Sequence, residues 1–90
     1  MKLQDAIFNW LQISMVSEAR PEDGAAKETK DFFELILRED HKLEQFSYAC
    51  DEDVCIIEYK QEGELAKVRY DRELAEQLLT DIISNPKYNE

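Results

Sequence analysis

From Phe46 to Tyr70 apolar side chains recur at every second position, broken only by two short polar turns, and nothing else in the chain limits its fold as strongly. A period of two is the signature of a strand with one covered face. The register follows from the turns. If Cys50 sits opposite Cys55 across the loop Asp51–Val54, then Tyr48 faces Ile57 and Phe46 faces Tyr59, all on one side of the ribbon. A slip of one residue would set Phe46 against Glu58 and destroy that side. The second turn lies at Gln61-Glu62-Gly63-Glu64, where Gly63 supplies the left-handed backbone of a tight hairpin. Tyr59 then faces Ala66, Ile57 faces Val68 and Cys55 faces Tyr70. On the reverse side Glu58 meets Lys67. The spacing therefore predicts an antiparallel three-stranded meander over 43–50, 54–61 and 64–70.

Helical spacing accounts for most of the remainder. Ala25, Ala26, Thr29, Phe32, Phe33, Ile36 and Leu37 share a face over about 24–39, with Lys27, Glu34 and Arg38 opposite. Asp23 is placed to cap that helix, and Lys30 can pair with Glu34 one turn on. After the meander, Leu74, Ala75, Leu78, Leu79, Ile82 and Ile83 form a stripe that begins at a capping Asp71 and ends at Asn85-Pro86. The first segment supports two readings. Leu3, Ala6, Ile7, Trp10 and Leu11 share a helical face, but Ile13, Met15 and Val16 scatter if the helix continues. Read with a period of two, Leu11, Ile13 and Met15 alternate with Gln12 and Ser14. A short helix over 2–10 and a fourth strand over 11–18 is the preferred reading, and one helix to Ala19 is the alternative. The expected fold is thus α+β, two-layered, in the order α-β-α-β-β-β-α, with the helices covering one face of the sheet. Ninety residues allow one domain, 1–90.

Charge narrows the function. The chain carries 21 acids against 11 bases, a formal net charge of −10. Such a surface repels phosphate backbones and anionic membranes, so neither a nucleic acid nor a membrane is expected as partner. Asp5 and Asn9 interrupt the N-terminal apolar run, which argues against a signal peptide, and the apolar stretches are too short to span a bilayer. The expectation is a cytoplasmic protein in a reducing compartment.

Few residues invite chemistry. Cys50 and Cys55 can be small buried core residues, a cross-strand disulfide, or a metal or catalytic pair. Their place on the apolar face of the meander, together with the reducing compartment, favours buried thiols. With His41 they make only three soft or nitrogen ligands, short of a zinc site. The acids Asp51, Asp53 and Glu62 fall at calcium-loop positions one, three and twelve, but Cys55 and Ile56 occupy positions five and six, where a ligand and a glycine are needed. No metal, cofactor or catalytic residue is assigned. His41 suits a helix C-terminus, where a cation is welcome. The aromatic residues lie on the predicted apolar faces and read as core.

The tip Asp51-Glu52-Asp53 is the candidate contact site for a charged partner. Most such runs are only solvated, but here it is the candidate for a basic partner. The leading expectation is a non-enzymatic protein acting by protein–protein binding or regulation, through this acidic surface or through a homodimer formed on the reverse face of the sheet. That face carries Val54, Ile56 and Leu65. An enzyme subunit or small hydrolase using carboxylates is the second reading, and an acidic mimic of nucleic acid the third.

Overall fold

A computed structural model describes residues 1–84. Its elements are α1 (Leu3–Ala19), α2 (Gly24–Glu39), β1 (Leu43–Cys50), β2 (Val54–Gln61), β3 (Glu64–Asp71), α3 (Arg72–Ala75) and α4 (Gln77–Ser84). The three strands form one antiparallel sheet in the order β1-β2-β3. The class is α+β, with the order α-α-β-β-β-α-α.

The expected register is present at every rung named above: Cys50 opposite Cys55, Tyr48 opposite Ile57, Phe46 opposite Tyr59, and then Tyr59 opposite Ala66, Ile57 opposite Val68 and Cys55 opposite Tyr70. The second turn uses two left-handed residues, Glu62 at φ 52° and Gly63 at φ 81°. Its strands differ in their two faces. Cys55 and Ile57 are fully buried beneath the helices, while Ser47, Ala49, Ile56, Glu58, Lys67 and Arg69 are exposed on the other side. On that outer side Glu58 and Lys67 lie 3.5 Å apart.

The strand expected over 11–18 is instead the second half of α1. Its apolar residues scatter because the helix is buried on two sides. Ile7, Trp10, Leu11 and Met15 pack on the sheet and on Leu37 of α2. Ile13 and Val16 pack with Ala26 of α2 and with Leu78, Leu79 and Ile82 of α4. A helix enclosed by neighbours has no single apolar stripe, and alternation within a few such residues is accidental. Trp10 is the junction. Its ring meets Phe46 and Tyr48 edge-on at 5.1 and 5.6 Å, and its Nε1–H donates to Glu34 at 3.1 Å. Glu34, expected on the wet side of α2, therefore turns inward as an acceptor while staying 4.0 Å from Lys30.

Asp23 caps α2 as expected, its side chain accepting from the Ala26 N–H at 3.1 Å. Phe32, placed on the apolar face by spacing, is 57% exposed, because α2 leans on α1 through Ala26, Phe33 and Leu37. The last helix is divided at Glu76, and Asp71 precedes it in extended conformation without a side-chain cap. The helix end expected at Asn85-Pro86 lies outside the described residues. No helix among the described residues is long and apolar enough to cross a membrane.

Candidate functional site

The end of the sheet formed by the first hairpin is built differently from what buried thiols would give. Cys50 and Cys55 are joined by a disulfide, with their Cα atoms 4.0 Å apart. Direct cross-strand pairing brings the two side chains onto one face at bonding distance. The acidic loop is closed beneath that bond. Asp51 donates its backbone N–H to the Val54 carbonyl at 2.9 Å, and its carboxylate accepts from the N–H groups of Asp53 and Val54, both at 2.8 Å. Those two bonds, that from Val54 first, hold the Asp51 carboxyl below its ordinary value.

A third tether comes from Arg72, the first residue of α3. Its guanidinium donates to the Asp51 carbonyl at 2.6 Å, and its backbone N–H donates to the Asp53 carbonyl at 2.9 Å. The same guanidinium donates to Glu76 one turn further on. The contact with Glu76 raises the Arg72 pKa further. Arg72 thus ties the tip to the break between α3 and α4. No pattern of the sequence points to this role, because it depends on β3 ending beside the tip, at the rung where Val54 pairs with Asp71. Asp51, Glu52 and Asp53 are all exposed. The structure therefore brings the three candidate contact residues together on a turn fixed from below and from one side.

Two clefts flank this tip. One lies on the outer side of the sheet, about 400 Å³, between Ser47, Ala49, Val54, Ile56 and Lys67. The other, about 720 Å³, opens between the end of α1 and the α3–α4 segment and is lined by Met15, Glu18, Tyr48, Arg72, Glu76 and Leu79. Cys50 lines both. The Tyr48 hydroxyl is enclosed at the second cleft and completes no hydrogen bond; burial, then the neighbouring Glu18 carboxylate, raises its pKa well above the usual phenol value. Of the two acids in this cleft, Glu76 is held by Arg72 and Glu18 is exposed.

His41 stands at the other end of β1. Its carbonyl accepts from Gln61 at 2.7 Å. Nine residues of largely extended chain separate it from Cys50, a distance on the order of 25–30 Å, so imidazole and sulfur do not form a nucleophilic pair.

Comparison with known protein families, with curated proteins and with solved structures finds no match for this chain.

Proposed function

We propose that this chain is a protein-binding module whose contact surface is the acidic tip Asp51-Glu52-Asp53, and that its partner presents a basic patch. The observation that supports this reading is the combination of exposure with fixation. Glu52 and Asp53 are exposed on a turn held by a disulfide, by Arg72 and by the carboxylate of the third acid, Asp51, which accepts two of its backbone N–H bonds. A rigid charged contact loses little conformational entropy on binding. The net charge of −10 adds long-range attraction that raises the association rate.

A homodimer on the outer face of the sheet is the weaker reading. Ile56 and Leu65 are exposed there, at 37% and 77%. Three strands of eight residues offer a face of roughly 26 by 14 Å, on the order of 400 Å². A stable interface needs about 800 Å² from each partner. The carboxylate-enzyme reading is weaker still, since one of the two acids in the larger cleft is engaged by Arg72.

The test is affinity capture from lysate at low and high salt, with the wild-type chain beside Glu52→Gln/Asp53→Asn. The reading expects basic proteins that elute as salt rises and that the double variant fails to retain. Partners held equally by both chains, or held without regard to salt, would contradict it.

A further inference from the structure

The two sulfurs of the tip disulfide are not equally accessible. Cys55 has no exposed surface, whereas Cys50 is only partly covered and lines the clefts on both sides of β1. Disulfide exchange requires a thiolate to approach one sulfur directly, so access decides which sulfur is attacked. We propose that the Cys50–Cys55 bond is a thiol-exchange site, opened at Cys50 by a dithiol reductant, and that opening it loosens the C-terminal helices through Arg72.

A thiolate of the reductant attacks the Cys50 sulfur and forms a mixed disulfide there. The Cys50–Cys55 bond breaks, and its electron pair leaves on the Cys55 sulfur, which takes up a proton. The second thiol of the reductant, deprotonated, attacks its own sulfur in the mixed disulfide and releases Cys50 as a thiolate, which is then protonated. The reductant becomes a disulfide, and the chain gains two electrons and two protons. Burial among apolar neighbours keeps the resulting Cys55 thiol neutral, which slows its return attack and lets the reduced form persist.

The consequence runs through the carbonyls of the turn. Asp51 and Asp53 are the residues whose carbonyls hold Arg72 at the start of α3. With the bond intact, those carbonyls are fixed beside the last rung of the hairpin. With it open, the turn is held only by hydrogen bonds to exposed groups, and such regions open locally at low free energy. Arg72 and the Glu76 break move with the turn. The C-terminal helices then rest on packing, of Ala75 in the main core and of Leu78, Leu79 and Ile82 beside Ile13, Val16 and Ala26. This inference is independent of what the acidic tip binds.

Amide hydrogen exchange on the full chain, oxidised and after dithiothreitol, tests it. Reduction should speed exchange over 72–82 by about tenfold or more while the β2–β3 rungs of 57–68 keep their protection. In the oxidised chain Arg72→Ala should speed the same 72–82 segment with the disulfide still closed. Unchanged exchange over 72–82 in either case overturns the coupling, as does an equal acceleration along the whole chain. The attacked sulfur is read with oxidised glutathione. Cys55→Ser should take up glutathione on Cys50, and Cys50→Ser should take up none at comparable rate; the reverse pattern overturns the assignment.

Discussion

Single side chains carry costs that can be read one at a time. Ser14 is fully buried in α1, and its hydroxyl has no hydrogen-bond partner among the described residues. Ser14→Ala removes an unsatisfied group and improves helix propensity, so thermal unfolding should show a gain of up to about 1 kcal/mol. A loss of stability would mean that the hydroxyl is satisfied in solution. Tyr48 has the same defect at the larger cleft, and Tyr48→Phe should be neutral or stabilising at pH 7. Its raised pKa adds a pH signature. The neutral phenol contributes stability fully below the ordinary value of about 10, and that contribution falls as pH rises above it. The phenylalanine variant should therefore resist alkaline unfolding better than wild type. Asp51 has the opposite sign. Its lowered pKa contributes stability above the ordinary carboxylate value near 3.8, and that contribution is lost as pH falls through the folded value. Exchange of the Val54 amide, relative to the free-peptide rate at the same pH, should accelerate below about pH 4 in wild type. In Asp51→Asn it should already be faster at neutral pH, with no further step in the acid range.

At the level of elements, the strands were legible because each has one wet face. From Phe46 onward the alternation holds in every strand, and only one register kept Phe46, Tyr48 and Ile57 together. The second turn is legible for the same reason, since Gly63 adopts the positive φ that its position requires. A Cβ at Gly63 would meet nothing within 4 Å, so the cost of Gly63→Ala is one of backbone alone, about 1–2 kcal/mol. Glu62→Asn should act in the opposite direction by a few tenths of a kcal/mol, because asparagine tolerates the left-handed region better. Denaturant midpoints of the two variants check both signs. The second half of α1 was misread as a strand because periodicity reports how many sides of an element face water. Met15 faces the sheet while Ile13 and Val16 face α2 and α4, and the sequence shows that only as a lost period. Phe32 was misplaced by the converse effect. It lies on the apolar side of α2 by spacing, but α1 is not wide enough to cover it.

Across the whole molecule the candidate site was half legible. The acidic tip stands at the hairpin end, as its charge and the two cysteines implied. What sequence reasoning lacked was the state of those cysteines, since a rung that sets two thiols together serves a packed core and a disulfide equally well. Arg72 was hidden for another reason: its partners are backbone carbonyls some twenty residues away, and no side-chain pattern encodes them. On the chain-entropy account, a bond closing so short a loop contributes roughly 2 kcal/mol. The effect on the tip is local, and it underlies both proposals made above, because binding by the acids and coupling to α3 each require a turn that does not move. Backbone ¹⁵N relaxation of Asp51, Glu52, Asp53 and Val54 in the oxidised chain tests that requirement directly. The account predicts order parameters near the rigid-backbone value of about 0.85, equal to those of the strands on either side. Values below about 0.6 at these four residues, with the disulfide shown to be intact, would contradict it.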